Sequence, residues 1–276
     1  MWRNIVGLKL NLGAGALWSK SGWTIVDHNL KNRSSAWSIP LPDDSCSILY
    51  TCHMIEHIPH YKIEKVFCEI NRVMETGGVL RILTPDLYKL AKAYVEHDTD
   101  FFQQVAAEHD SMKDDWGFGE AFMSFIVSPG LDHILFDKHL TEIIGGYGHL
   151  YCYDFDMLKI LLKKFGFGNI TRSEYCGSSI EELREPRHTD ESKQGSSSRQ
   201  WLTGFDRAPL VSLIVEATKQ SNIDYANYQD ANAESARNYN YYGLGPTRGL
   251  VNKLRVQCIA LISKTLLLLQ RIVRRS

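Results

Sequence analysis

The stretch Leu8-Lys9-Leu10-Asn11-Leu12-Gly13-Ala14-Gly15, followed by Thr24-Ile25-Val26-Asp27, decides the fold. An apolar run that halts in Gly-x-Gly is a strand whose backbone turns tightly beneath something bulky, because glycine has no Cβ to obstruct a close approach. The second run ends in a single carboxylate, Asp27. At the tip of a neighbouring strand such a group accepts hydrogen bonds from both hydroxyls of a ribose. A bare turn beside a ribose-reading acid is the minimal equipment for holding a nucleoside-type cofactor. Only 11 residues, 13–23, part the two runs. That is too few for a three-turn helix with its connections, so the first helix is expected to be shortened. The spacing also argues against a dinucleotide, whose acid usually lies about 20 residues beyond the glycines, after a full helix.

Outward from this start, strands and helices alternate. Pro40-Leu41-Pro42-Asp43-Asp44-Ser45 reads as a turn, and Ser47 to Cys52 as a buried strand. Ser35 to Trp37 is read as a short additional strand. From His60 to Glu75, Ile63, Val66, Phe67, Ile70, Val73 and Met74 form one apolar stripe at helical spacing, and Gly77-Gly78 follows. Val79 to Leu83 is the next strand. Asp86 and Asp154 are N-caps of two further helices. Asn169 to Tyr175 and Leu210 to Ala217 are strands with only a polar, Ser-rich loop between them, roughly 177–207, so they are expected to pair antiparallel. The alternation indicates a mainly parallel sheet.

The chain has 276 residues and a net charge of −1, which hides an asymmetry. From Arg248 onward there are seven Lys or Arg and no Asp or Glu, so the body is acidic, at about −8. An acidic body argues against nucleic acid as a partner. The six cysteines stand singly, with no C-x-x-C, which fits free buried thiols in a reducing compartment. The start of the chain does not read as a signal peptide, since Lys9 and Asn11 interrupt its apolar stretch. The expected organisation is a domain over 1–219 with an aromatic-rich insertion at 97–148 that covers the site, a linker at 220–249, and a basic amphipathic helix at 250–276. That helix fits a membrane interface and equally fits packing on its own domain or a second subunit; Lys264 argues against a spanning segment.

His53-Met54-Ile55-Glu56-His57 spells the inverted zinc-protease motif. That chemistry needs both histidines on one face of a sustained helix and a third ligand from elsewhere. Here the motif follows a strand directly, and Pro59 turns Ile58 away from helical angles. No metal is therefore expected, and Glu56 and His57 either organise the loop by hydrogen bonds or act directly.

Taken together, Gly22-Trp23 with Asp27, Leu41-Pro42 with Ser45, His53-x-x-Glu56-His57, Glu69-Ile70-Asn71-Arg72-Val73, Gly77-Gly78 and Pro85-Asp86-Leu87 resemble class I S-adenosylmethionine-dependent methyltransferases of the type 11 branch. Gly148-His149 with Tyr153-Asp154, Phe165-Gly166-Phe167 and Val215 to Lys219 fit the same pattern. The resemblance covers roughly 8–96 and 148–219. It implies a Rossmann-like α/β fold with a mainly parallel seven-stranded sheet, an antiparallel last strand and S-adenosyl-L-methionine as cofactor. By it, Gly13 and Gly15 approach the methionine part, Asp27 binds the ribose, and Thr51, Cys52 and His53 lie under the sulfonium. Two positions depart from the pattern. Ser34 or Ser35 stands where an acid usually contacts the adenine, and Leu17 replaces the third glycine of the loop.

The reaction so implied is methyl transfer to an oxygen, nitrogen or carbon of a small-molecule, glycan or lipid-linked acceptor, by a cytoplasmic enzyme with peripheral membrane contact as one reading of its tail. His53, His57, Asp86 and His149 are the candidate bases; Asp86 also reads as a plain helix cap. Trp116 and Phe118 are either an acceptor wall or core aromatics. A catalytically inactive binding or scaffolding protein is the alternative reading of the chain.

Overall fold

The computed structural model describes residues 7–15, 17–27, 35–58, 60–108, 117–127, 148–191, 193 and 201–225. The expected Ser34, Trp116, most of the 220–249 linker and the 250–276 helix lie outside them. In chain order the described elements are β1 (Leu8–Leu12), β2 (Trp23–Val26), β3 (Cys46–Cys52), α1 (His60–Val73), β4 (Met74–Pro85), α2 (Leu87–Val95), α3 (Thr99–Glu108), α4 (Phe118–Ile126), α5 (Phe155–Lys164), β5 (Phe167–Arg172), β6 (His188–Thr189), β7 (Leu202–Thr203) and β8 (Ser212–Lys219).

The main sheet has the order β2-β1-β3-β4-β8-β5, and β6 and β7 form a separate two-stranded ribbon. Pairings from β2 through β4 are parallel, while β8 runs antiparallel to both β4 and β5. The chain leaves β1 outward to β2 and returns to the opposite side of β1 as β3. This reversal makes a topological switch point, and the crevice beyond the strands' carboxyl ends at such a point is where open α/β sheets bind ligands. The expectation of seven strands is corrected to six among the described residues. Residues 36–38 form a turn, not a strand. Their neighbours' backbone groups are claimed by α1: Glu69 accepts from the Ile39 amide at 2.8 Å, and Arg72 donates to the carbonyls of Ile39 and Leu41 at 2.8 and 2.9 Å. Backbone groups satisfied this way need no strand partner.

One face of the sheet is covered by helices, as the stripe on α1 requires. Ile63, Val66, Phe67 and Ile70 of α1, Leu158 and Leu162 of α5, and Phe165 just after it pack on Leu10, Leu12, Leu49, Leu80 and Ile82. Among the described residues the short β1–β2 link carries no helix on the opposite face, and parts of 173–191 and 201–211 cover that face instead. Leu183 and Phe205 of that segment pack on Trp18, Trp23 and Tyr50, with the Phe205 ring 4.7 Å from Trp23 and 5.0 Å from Tyr50. Arg81, fully buried on β4, fastens it. Its guanidinium lies 3.1 Å from Asp206 through Nε, 2.8 Å from Glu216, and 2.9 Å from the carbonyl of Glu174. The indoles of Trp18 and Trp23 donate to the Gly204 carbonyl and to Glu182, at 2.6 and 2.7 Å.

Within 97–148, α3 and α4 pack on α2 around Leu90, Phe102, Val105, Ala121 and Phe125. Phe118 belongs to this cluster, 4.8 Å from Phe102 and 5.5 Å from Tyr94, so it is a core aromatic. No helix among the described residues is long and apolar enough to cross a membrane.

Candidate active site

Two adjacent strand ends frame the site. Leu12 pairs with Val26, and the Gly13 amide donates to the Val26 carbonyl at 2.8 Å. Both glycines have left-handed backbone, with φ of 78° at Gly13 and 80° at Gly15, a region costly for residues with a Cβ. The Gly15 amide donates to Asp27 Oδ2 at 2.8 Å. The loop thereby holds the carboxylate at the tip of β2, where Asp27 is 7% exposed.

The two glycines differ in what surrounds them. A Cβ on Gly15 would meet nothing within 4 Å, whereas one on Gly13 would stand 2.3 Å from Met54 Cγ. The space at Gly13 is thus taken by the chain's own Met54, and the open surface is at Gly15. Thr51 and Cys52, at the end of β3, are buried, and Thr51 Oγ1 is enclosed without a hydrogen-bond partner. Bare glycine surface at Gly15, a held carboxylate at Asp27 and an orphaned hydroxyl at Thr51 fit a ligand carrying a ribose and a polar tail.

Beyond β3 the chain makes one 3-10 turn, Ile55–His57, before α1 begins at His60. His53 enters this turn with φ of 50°, the kind of strain that collects where function over-determines the backbone. Its amide donates to Leu83, Nε2 lies 2.8 Å from Ser212 Oγ, and Nδ1 lies 3.2 Å from Glu56 Oε1. Glu56 is wholly buried and is the hub of the turn. Its Oε2 accepts from Thr84 Oγ1 at 3.1 Å, and its carbonyl accepts from the amides of Leu150 and Tyr151 at 2.8 and 3.2 Å. This clamps the 148–151 strap over the turn. The strap brings the His149 ring to 5.0 Å from the His57 ring. His57 Nδ1 lies 2.9 Å from the Gly148 carbonyl, and His149 Nδ1 lies 2.7 Å from the Phe125 carbonyl of α4. A carbonyl only accepts, so each Nδ1 carries the proton and each Nε2 is the basic nitrogen.

Burial pushes His53 down to about 4 against the pull of Glu56, which leaves the imidazole neutral near pH 7. Burial likewise lowers His149, again opposed by Glu56. For Glu56 burial acts upward, but the close approach of His53 and the charges of the neighbouring His57 and His149 outweigh it and hold the carboxyl at about 2. Asp86 is occupied elsewhere. It accepts from the Tyr88 and Lys89 amides as the cap of α2 and pairs with Arg172 at 3.2 Å. Of the four candidate bases, then, His53, His57 and His149 gather around Glu56, and Asp86 does not join them. The sequence reading missed Met54 as the filler at Gly13 and Ser212 as the partner of His53. Neither carries a sequence signal, since one is an ordinary apolar residue after a strand and the other the first residue of β8.

Residues 23–82, from β2 into β4, match the family profile described as a methyltransferase domain. That match accords with the expected resemblance to class I S-adenosylmethionine-dependent methyltransferases. The expected Rossmann-like α/β fold, with its mainly parallel sheet and antiparallel last strand, accords with the match as well. Among solved structures, the chain is similar to a SAM-dependent methyltransferase, possible histamine N-methyltransferase, from Thermotoga maritima, at 13% identity over 78% of this chain and 83% of that one, with a TM-score of 0.38. It is also similar to SAM-dependent methyltransferases from Archaeoglobus fulgidus (13% identity, 78% and 86% covered, TM-score 0.37) and Mesorhizobium loti (14%, 78% and 92%, 0.37). No curated protein matches the chain.

Proposed function

We propose that the chain is a methyltransferase that holds S-adenosylmethionine across the ends of β1 and β2 and methylates a nucleophile of a small-molecule, glycan or lipid-linked acceptor beside the Glu56 turn. The observation that carries the reading is the Gly15 amide on the Asp27 carboxylate, which joins the open glycine surface to the acid at adjacent strand tips. The cofactor supplies an already activated methyl group. Asp27 would receive the ribose hydroxyls, Gly15 would let the ligand approach its backbone, and Thr51 Oγ1 would find its missing partner there.

What remains for the protein is alignment, exclusion of water and care of one proton. Fixing reactants in attack geometry is worth about 7–11 kcal/mol in favourable cases. A hydroxyl or ammonium acceptor must lose a proton, and the histidines around Glu56 are the groups placed to take up that charge. His53, fully enclosed between Ser212 and Glu56, positions the carboxylate. His57, whose side chain is 24% exposed, and His149 form the accessible side of the cluster. The helices α3 and α4, reached through the Phe125 carbonyl, would set acceptor choice, since loops and insertions on a rigid sheet usually do.

Calorimetry with S-adenosylmethionine on the wild type and Asp27→Ala tests the cofactor site; no binding by the wild type overturns the proposal. Incubating cell extract with a methyl-labelled donor and the enzyme identifies the acceptor class. Failure to label any component while the cofactor binds would favour the scaffolding alternative. For residues 250–276, equal liposome flotation of the full chain and one ending at Thr247 would remove the membrane reading.

A further inference from the structure

Glu56, His57 and His149 each offer one ligand atom, and the three atoms lie within 4.8 Å of one another. We propose that these residues form a binding site for a single divalent transition-metal ion, of the zinc type, at the mouth of the proposed active site. The inference rests on the functional reading above and refines it: the ion lies where that reading puts the acceptor, and its open position, not the two ligating imidazoles, would then stabilise the acceptor's charge.

Three independent elements build the site: the 3-10 turn after β3 supplies Glu56 and His57, the 148–151 strap supplies His149, and α4 orients His149 through the Phe125 carbonyl. Histidines that bind metal characteristically donate their other ring nitrogen to a carbonyl or carboxylate, which fixes the tautomer and aims the lone pair. Both rings do so here, onto Gly148 and Phe125. The carboxylate is held in the same manner, with Thr84 Oγ1 on Oε2 and His53 Nδ1 beside Oε1. Glu56 is wholly buried, and Oε1 has no hydrogen bond of good geometry. Its nearest neighbours there are His53 Nδ1 at 3.2 Å and His57 Nε2 at 4.0 Å. Buried carboxylates are stable when paired or coordinated, and imidazoles that have given Nδ1–H to a carbonyl offer a lone pair, not a second proton.

Two imidazole nitrogens and one carboxylate oxygen, with a position left open, make a donor set that suits zinc. Bond lengths of about 2.0–2.2 Å put tetrahedral ligands about 3.3–3.5 Å apart. Closing from 4.0 Å between Glu56 and His57, and from separations within 4.8 Å for the other pairs, therefore asks for movements of about half an ångström to a little over one. His53 and His57 do not share the face of a sustained helix, as the inverted zinc-protease motif requires. The structure instead uses the second histidine, the glutamate between the two, and a histidine 92 positions downstream of His57.

The test uses the full chain, stripped with chelator, dialysed and titrated with Co²⁺ and Zn²⁺. One equivalent of Co²⁺ should bind with a visible ligand-field band of nitrogen and oxygen ligation, and Zn²⁺ should displace it. His57→Gln and His149→Gln should each weaken binding at least tenfold. His53→Gln, which removes an orienting group, should weaken it about 10–100-fold. Circular dichroism checks that the variants are folded, and calorimetry of S-adenosylmethionine on the same stripped sample checks the cofactor site separately. Absence of a cobalt band, a band with thiolate charge transfer, or unchanged affinity in folded His57→Gln and His149→Gln overturns the metal site. If the cofactor still binds in any of those cases, the methyltransferase reading stands without the ion.

Discussion

Gly13 and Gly15 share a motif and a left-handed backbone, yet the structure gives them opposite tasks, and alanine at each should show it. In Gly13→Ala the new Cβ would stand 2.3 Å from Met54 Cγ and 2.8 Å from Met54 Cβ. These atoms are near the root of a buried side chain and have little room to withdraw. Left-handed strain of about 1–2 kcal/mol then adds to overpacking of about 1–3 kcal/mol, a total loss of about 2–5 kcal/mol. In Gly15→Ala nothing lies within 4 Å of the new atom, so only the strain of about 1–2 kcal/mol applies. Urea unfolding followed by the fluorescence of buried Trp18 and Trp23 would separate the two. Calorimetry with S-adenosylmethionine should rank them the other way. Folded Gly15→Ala should lose at least about tenfold in affinity, equivalent to about 1.4 kcal/mol, because its methyl would occupy the surface that the proposed site offers to the ligand. If Gly15→Ala destabilises the protein as much as Gly13→Ala, or leaves cofactor affinity unchanged, the division of labour between the glycines is wrong.

Asp27→Ala should remove two charge-assisted hydrogen bonds to the ribose, each worth about 1.5–3 kcal/mol, and so weaken the cofactor by about two to four orders of magnitude in calorimetry. Arg81→Met should cost about 3–5 kcal/mol in urea unfolding, because it leaves Asp206 and Glu216 without their buried counter-charge; adding Asp206→Leu should recover part of that loss. The Glu69 carboxyl feels burial upward, but Arg72 and the Ile39 amide outweigh this and hold it below 4.5. Its stabilising contribution is therefore complete above about pH 4.5 and fades as the pH falls below that value. The urea midpoint of Glu69→Gln should accordingly depend less on pH in the acid range than that of the wild type.

Features written in local periodicity were legible in the sequence. The apolar stripe of α1, the capping role of Asp86 and Asp154, and the strands ending at Leu12, Val26 and Cys52 all appear where their side chains require them. The antiparallel pairing of β5 with β8 followed from the lack of helical period between them. Features that depend on distant residues were hidden. The polar, Ser-rich composition of 177–207 concealed Leu183 and Phe205, two isolated apolar residues that fill the face left bare by the missing helix. The gathering of His149 with Glu56 depends on two backbone amides of the strap, and backbone contacts leave no trace in residue type. The Ser35–Trp37 strand failed because Glu69 and Arg72, on a helix 30 residues away, claimed the neighbouring backbone groups.

The cover on the second face of the sheet has a consequence for how the chain is made. Trp18 meets Gly204 across 186 residues, and Lys9 meets Glu182 across 173. During translation β1, β2 and β3 emerge early, but the aromatic surface of Trp18, Trp23 and Tyr50 cannot be shielded until Phe205 and Asp206 have left the ribosome. Contacts this remote in sequence slow folding, and an apolar sheet face left waiting is an aggregation hazard. This face of the sheet must therefore be consolidated only after residue 206 has emerged, so a chain truncated before residue 206 would expose the sticky half of its own scaffold.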